Sequence, residues 1–109
     1  MICAANSKGQ SREIEGARVM QTNNRWGFSD MSGNIEEWCW DYYQSGYDPK
    51  ETDNPKGPTS GTTRIARGGS FKSEAKSGGP CPLSAGHRSY FNPSEGDVTR
   101  GLRVVTSLR

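Results

Sequence analysis

An acidic segment near the middle of the chain has residue types that could bind a hard cation: Asp30-Met31-Ser32-Gly33-Asn34-Ile35-Glu36-Glu37. Calcium takes about six to eight oxygen ligands, and a tight glycine-containing loop bracketed by carboxylates supplies side-chain and carbonyl oxygens together. Asp30 and Glu37 could close such a loop. The alternative is a turn in which Asp and Ser side chains cap backbone NH groups and Gly33 supplies only conformational freedom. Spacing alone favours the turn.

Thiol and imidazole groups are few. The three cysteines, Cys3, Cys39 and Cys81, are too far apart for a CxxC metal site, and their odd number leaves at least one outside any disulfide within the chain. Two alternatives stay open: a disulfide between two of the cysteines, or three ordinary thiols. His87 is the single histidine, so it cannot form a multi-histidine site, and nothing fixes a serine beside it for nucleophilic catalysis. We expect no catalysis from this chain alone.

The elements that must position these groups are short. Among 109 residues there are 11 Ile, Val and Leu side chains, against 14 glycines and 6 prolines, and the formal net charge is +2. This composition predicts one compact, loop-rich domain without long helices. The basic residues are scattered, which argues against nucleic acid, and no apolar stretch could insert in a membrane. Residues 1–10 lack the order of a signal peptide.

Aromatic residues are densest between Asn23 and Tyr47, and we expect the core there. Trp38, Trp40 and Tyr42 alternate as on one face of a strand, although Ile35, Trp38 and Tyr42 also fit a helical turn. The flanking segments follow a simpler pattern. We predict a short strand around residues 17–20, an irregular loop over 48–63, a strand from residue 64 running into a bend at the paired glycines 68–69, and a final strand in which residues 102, 104 and 106 share a face.

Four motifs in a fixed order resemble the C-terminal part of the formylglycine-generating enzyme family, also called sulfatase-modifying factors: WGFSDMSGNIEEWCWD, NPKGPTSGTTRIARGGSF, HRSYFNP and GLRVV. The resemblance covers about residues 15–106. It implies an α+β, C-type-lectin-like fold that is loop-rich, with short twisted strands. The N-terminal part of the family's domain has no counterpart here. We therefore treat 1–109 as a single partial domain, which is a fragment or is completed by another chain or by a homo-oligomer.

The resemblance also implies a calcium site. In the family, the corresponding site uses a side chain at the position of Asp30, main-chain carbonyls at those of Gly33 and Ile35, and a carboxylate at that of Glu37. All four positions match in this chain. Arg67, Arg88 and Arg103 also stand in matched motifs, and we expect them to be partly buried and paired.

The redox chemistry of the family is not expected here. Its oxygen-using members bind copper through two cysteines, five residues apart, that follow the GGS segment. The corresponding positions in this chain are Ser73 and Gly78, and Cys81 lies three residues further on. One cysteine cannot form the two-thiolate site, so we expect calcium and no copper. Another branch holds iron with histidines of an attached helical domain, which His87 alone cannot replace.

Non-enzymatic relatives in bacteria and phages use the corresponding C-terminal loops as binding faces, and in some of them retroelements diversify these loops. The stretch 71–100 occupies that place and is rich in polar and aromatic residues suited to adaptable contacts.

We predict a non-catalytic module that binds a protein or carbohydrate ligand and carries a structural calcium ion. The alternatives are a formylglycine-generating oxidoreductase completed by missing segments, or a retroelement-diversified binding protein. Relatives often work outside the cytoplasm. The predicted binding residues are Ser70, Lys72, Ser73, Glu74, Lys76, Ser77, His87, Arg88, Ser89, Tyr90 and Asn92.

Overall fold

A four-stranded sheet organises the chain. The computed structural model describes residues 1–13, 24–74 and 81–106. Its strands are β1 (Glu36–Tyr42), β2 (Arg64–Arg67), β3 (Ser89–Phe91) and β4 (Arg100–Leu102). They lie in the order β3-β2-β1-β4, with β1 antiparallel to β2, β2 antiparallel to β3, and β1 parallel to β4. The described residues contain no helix, and hence none that could cross a membrane. The loop-rich, lectin-like prediction with short strands is confirmed.

The sequence EEWCWDY forms a strand. Of the two structures that the aromatic spacing allowed, a strand and a helical turn, the strand is therefore correct. Aromatic residues are favoured in strands because they pack on a pleated surface. Trp38 lies opposite Ala66 on β2, and Tyr42 lies opposite Arg64, so four residues of β1 face two of β2 and the strand contains an irregularity. This irregularity lies beside the segment 43–63, which has no strand, so the irregular loop predicted over 48–63 is confirmed and begins earlier than predicted.

The bend after β2 is also confirmed. Gly68 and Gly69 both have positive φ, at 97° and 66°, where side chains are disfavoured. At Gly69 there is in addition no room for a side chain, because a Cβ would lie 2.8 Å from Leu83 Cδ2 and 2.9 Å from the Pro82 carbonyl oxygen. The bend therefore packs directly on the segment that precedes β3.

The core does not lie where the aromatic density predicted it. The buried apolar side chains are Cys3, Ile65, Ala66, Phe71 and Leu83, which come mainly from the N-terminus, β2 and the bend. By contrast Trp26, Phe28, Trp40 and Tyr47 are more than half exposed, with Trp40 at 82%. Arginine guanidinium groups lie over three of these rings, those of Trp26, Trp40 and Tyr47, at 4.2, 5.0 and 4.2 Å from the ring centres. The aromatic segment builds a surface, so the prediction of a core there is wrong.

The last strand is earlier and shorter than predicted. Strand β4 ends at Leu102, and Val104 and Val105 are 84% and 82% exposed. It pairs only with Glu36–Trp38 at the start of β1, so the ladder is three residues long. The strand predicted around 17–20 lies outside the described residues.

Candidate functional site

The loop before β1 is tied to two distant segments by Asn34, which is buried and has φ of 64°. Its amide side chain exchanges two hydrogen bonds with the backbone of Arg12: Oδ1 accepts from the Arg12 NH at 2.8 Å, and Nδ2 donates to the Arg12 carbonyl at 2.9 Å. Its own NH donates to the Ile2 carbonyl, and its carbonyl accepts from the Phe71 NH. Through its side chain and its backbone together, this one residue thus joins the N-terminal segment, the acidic loop and the segment after the glycine bend.

Gly33 is required in this loop for both conformation and space. Its φ is 82°, and its NH donates to the Gly68 carbonyl at 2.7 Å. A Cβ at this position would lie 2.1 Å from the Ile2 carbonyl oxygen, far inside a van der Waals contact. The loop is therefore a tight turn against the N-terminal backbone, whatever else it binds.

Glu37 is the best-defined acidic group of the loop. Its carboxylate accepts two hydrogen bonds from Arg103, at 2.6 Å from Nη2 and 2.8 Å from Nε. Arg103 Nη2 also donates to the Ser29 carbonyl at 3.0 Å. Both side chains are about one quarter exposed. The hydrogen bonds to Glu37 raise the pKa of Arg103 above its ordinary value, so the guanidinium keeps its charge. The expectation that Arg103 is partly buried and paired is confirmed.

Three of the four predicted calcium positions line one cavity of about 220 Å³: Asp30, Ile35 and Glu37. Gly33 does not line it. Carboxylate and carbonyl oxygens are the ligands that calcium prefers, and each Glu37 oxygen keeps a lone pair beyond its bond to Arg103. Arg12 also lines the cavity, although its guanidinium donates to the Asn6 carbonyl. Within the described residues no three His, Cys, Asp or Glu side chains form a metal cluster, so calcium here would depend on main-chain oxygens as well.

The residues after the glycine bend form a closed turn. The Ser73 hydroxyl accepts a hydrogen bond from the Ser70 NH at 2.9 Å, and the Ser70 hydroxyl accepts one from the Lys72 NH at 3.2 Å. Ser70 is buried, so its side chain does not reach the surface where we predicted a ligand contact. Ser73 lies at the first of the family's two cysteine positions, and its hydroxyl is engaged in the hydrogen bond that closes this turn. Gly78, at the second position, lies outside the described residues, as do Lys76 and Ser77.

Two of the predicted binding residues meet in an exposed aromatic stack. Tyr90 stacks on Tyr43 with ring centres 3.9 Å apart and planes 21° from parallel. The Arg88 guanidinium lies 4.2 Å from the centre of the Tyr47 ring and 5.5 Å from that of Tyr43. Such contacts stabilise rings that remain in contact with water. We call these four residues, Tyr43, Tyr47, Arg88 and Tyr90, the tyrosine stack.

Arg67 supports the tyrosine stack through hydrogen bonds. Its guanidinium donates to the Tyr47 hydroxyl at 2.8 Å and to the carbonyl oxygens of Ala85 and His87. These bonds connect the end of β2 to the loops on both sides of the stack. Arg67 also lowers the pKa of Cys39, although burial of that thiol is the larger effect and raises the pKa overall. No disulfide joins Cys39 to Cys3.

The remaining predicted binding residues are not part of the stack. The His87 ring lies 3.3 Å from the Ser89 hydroxyl, and the Asn92 side chain accepts hydrogen bonds from the backbone and side chain of Ser94. Lys72 and Glu74 are exposed beside the Ser70–Ser73 turn. The described members of the predicted set thus divide into the turn after the bend, the tyrosine stack, and the separate residues His87, Ser89 and Asn92.

Sequence reasoning missed three residues of these sites. Asn34 was read only as part of a turn, although Asn is one of the few residues that tolerate a positive φ and could have been recognised as a structural tie. Tyr43 and Tyr47 were counted with the core aromatics. Their role as a surface depends on which strand face the loops cover, and that is a property of the tertiary structure.

Comparison with known proteins gives a consistent picture. Residues 5–108 match the Sulfatase-modifying factor enzyme 1-like domain. The chain is 37% identical over 90 residues to "Serine/threonine-protein kinase pkn1" of Chlamydia pneumoniae, which is 78% of this chain and 13% of that protein. It is 44% identical over 48 residues to the formylglycine-generating enzyme of Mus musculus, which is 44% of this chain and 13% of the enzyme.

The fold is similar to that of "Treponema denticola variable protein 1", with a TM-score of 0.71 and 27% sequence identity over 92% of this chain. The matched region is 33% of that structure, so this chain spans a minor part of the length of each of these relatives. The domain match nevertheless covers nearly all of its residues. The chain belongs to the sulfatase-modifying factor family, which includes the formylglycine-generating enzymes.

Proposed function

We propose that this chain is a non-catalytic binding module of the sulfatase-modifying factor family and that it contacts a protein or carbohydrate ligand through the tyrosine stack. The observation that carries the proposal is the convergence of Tyr43, Tyr47, Arg88 and Tyr90 into one stack, in which Tyr47 and Tyr90 are exposed and Tyr43 and Arg88 are half-buried. Tyrosine and arginine are enriched where proteins bind partners, and tyrosine offers a large contact area with few rotatable bonds. Tyr90 is 52% exposed and can contact a ligand without rearrangement.

The absence of a catalytic role rests on the turn after the glycine bend. Thiolates are the ligands that Cu(I) prefers, and Ser73 offers only a hydroxyl at the first ligand position. That hydroxyl accepts a hydrogen bond from the Ser70 NH, which makes it part of the turn. With Gly78 at the second position, the sequence supplies no sulfur at either place.

A calcium ion is part of this proposal. The Asp30 and Glu37 carboxylates and the main-chain oxygens of Gly33 and Ile35 would hold it. Support comes from the cavity that three of these residues share and from the fit of their oxygen ligands to a hard cation. The ion would fix the loop that leads into β1. It would have no part in chemistry on the ligand.

A more specific form of the proposed binding role is a binding module with a variable surface. The structural similarity to "Treponema denticola variable protein 1" favours it. In that version the residues after the bend are diversified between copies of the gene while the sheet stays constant. Exposed positions such as Lys72, Glu74 and Tyr90 would then vary, and buried ones such as Phe71 and Leu83 would not. Sequencing the locus in many isolates would decide between this version and a fixed ligand.

The proposed binding role can be tested on glycan and peptide arrays with purified, fluorescently labelled chain. We expect selective signals that Tyr90→Ala and Arg88→Ala each reduce at least about tenfold, which corresponds to about 1.4 kcal/mol per contact. Glu95→Gln, an exposed change outside the tyrosine stack, is the matched control and should leave the signals unchanged. Signals that survive both stack variants would overturn the proposal, provided that each variant keeps the wild-type melting profile.

A further inference from the structure

A cavity of about 200 Å³ adjoins the tyrosine stack and shares two residues with it, Tyr47 and Arg88. The cavity is formed between the sheet and the loop over 43–58. Ile65 of β2, which is 5% exposed, contributes an apolar surface, and Tyr42, Pro55 and Pro58 contribute others. Binding sites for drug-sized molecules are typically about 300–1,000 Å³, so this smaller cavity suits a single side chain or a ligand of that size.

Three carboxylates line the cavity, against a single guanidinium. They are Asp41 on β1 and Asp48 and Glu51 in the following loop, and the guanidinium is that of Arg88. Within the described residues, none of the three carboxylates forms an ion pair. Asp41 is also fixed in position, because it belongs to a strand and its side chain packs against Gly57, where a Cβ would lie 3.2 Å from that of Asp41.

The neighbouring arginines leave these carboxylates available because the arginines are engaged elsewhere. Arg88 lies over the Tyr47 ring, and Arg64 lies 3.7 Å from the centre of the Tyr42 ring while it donates to the Trp40 carbonyl. Cavity walls of aromatic and apolar groups with unpaired carboxylates complement a cation on an apolar stem. A neutral sugar would gain nothing from the excess negative charge.

We propose that this cavity binds the cationic side chain of an arginine or lysine in a partner protein, with the stem between the tyrosines and Ile65 and the charge among Asp41, Asp48 and Glu51. This rests on the proposed binding role and names the ligand class for one part of it. The tyrosine stack then contacts the residues on either side of the inserted side chain. Arg88 belongs to both regions, and its guanidinium lies over the Tyr47 ring.

The test is an NMR titration of the whole chain with Nα-acetyl-arginine methylamide and Nα-acetyl-lysine methylamide. We expect saturable shifts of the Ile65 methyl signals. The citrulline analogue, which has nearly the shape of arginine without its charge, should bind at least about tenfold more weakly. Added salt should weaken the arginine probe and not the citrulline probe. n-Butylammonium has the charge and the apolar stem of lysine but no peptide groups. It should bind more weakly than the lysine probe if the protein also contacts the backbone of the inserted residue.

The variants Asp48→Asn and Glu51→Gln lie at exposed positions and should fold normally. Together they should reduce binding of the arginine probe at least about tenfold, whereas Glu95→Gln should not. Equal binding of arginine and citrulline, saturation by methyl glucoside in place of both cations, or no saturable shift would each overturn the inference. The arrays test the tyrosine stack independently, so array binding that is lost in Tyr90→Ala but unchanged in Asp48→Asn/Glu51→Gln would contradict only the cavity assignment.

Discussion

Glu37 and Arg103 lie 66 residues apart in the chain and form a two-point ion pair. The pair fastens the segment after β4 to the start of β1, where the parallel ladder is only three residues long. A ladder this short gains little from its own hydrogen bonds. The ion pair therefore adds to the attachment of β4, and with it to the wall of the cavity that Gly101 and Leu102 line beside Asp30.

Breaking this pair should destabilise the chain. We expect Arg103→Met and Glu37→Gln each to lower the free energy of unfolding by about 1–3 kcal/mol, because a charged group loses its hydrogen-bond partner in a partly exposed site. The double variant should cost less than the sum of the two, with a coupling energy of about 1 kcal/mol in urea unfolding. Additive effects would show that the pair does not contribute to stability.

Gly33 offers a second test, with an unusually close control. Gly33→Ala should lower the free energy of unfolding by more than about 2 kcal/mol, since it adds backbone strain at positive φ and a clash with the Ile2 carbonyl. Gly27 has almost the same φ, 83° against 82°, and nothing within 4 Å of a Cβ. Gly27→Ala therefore carries the strain without the clash. Equal losses for the two variants would show that the N-terminal segment does not pack on the loop.

The Cys39 thiol should ionise at a higher pH than an ordinary cysteine. Burial raises its pKa more than Arg67 lowers it, so the folded state favours the neutral thiol. The stability from this effect is fully present below the pKa of an unfolded cysteine, about 8.5, and is lost as pH rises through the folded value. Iodoacetamide labelling followed by peptide mass spectrometry should give a pH midpoint above that of free cysteine.

Two substitutions shift this midpoint in opposite directions. Asp41→Asn removes a negative charge and should lower the midpoint, while Arg67→Met removes a positive charge and should raise it. A midpoint at or below the ordinary value in the wild-type chain would contradict the burial of Cys39. A shift of the same sign in both variants would contradict the opposite electrostatic effects of Asp41 and Arg67 on this thiol.

Calcium should stabilise the folded chain. A ligand at 100 times its Kd that binds only the folded state adds about 2.7 kcal/mol, so the melting temperature should rise with calcium and fall with chelator. Asp30→Asn keeps an oxygen ligand and tolerates the φ of 52° at this position, but it loses a charge. It should therefore move the calcium midpoint to a higher concentration. Asp53→Asn, which does not line the cavity, is the control, and a calcium response unchanged in Asp30→Asn would place the ion elsewhere.

Local signals in the sequence predicted local features well. The glycine pair after β2 required a bend, and the proline-rich stretch over 48–63 required a loop, because these residues restrict or release their own backbone dihedrals. The order of motifs predicted the fold. Which rings are buried could not be predicted in this way: Trp40 and Phe71 are both large aromatic residues, yet Trp40 is exposed and Phe71 is buried. The difference depends on the loops packed on each face of the sheet.

The same distinction applies to the candidate site. The order of Asp30, Ile35 and Glu37 was enough to predict that they lie close together, although Glu37 belongs to β1 and Gly33 does not line their cavity. The ion pair from Glu37 to Arg103 spans most of the chain, and the stack of Tyr90 on Tyr43 joins β3 to the loop after β1. Such contacts follow from strand register and loop path, which no local spacing encodes.

The central claim is that this family member binds a ligand and does not generate formylglycine. The most direct measurement is mass spectrometry of a cysteine-containing sulfatase peptide incubated with the chain, copper and oxygen, beside a formylglycine-generating enzyme as positive control. With a serine and a glycine at the two thiolate positions, the account predicts that the peptide cysteine remains unchanged while the control converts it. Conversion of that cysteine to the aldehyde by this chain would contradict the account.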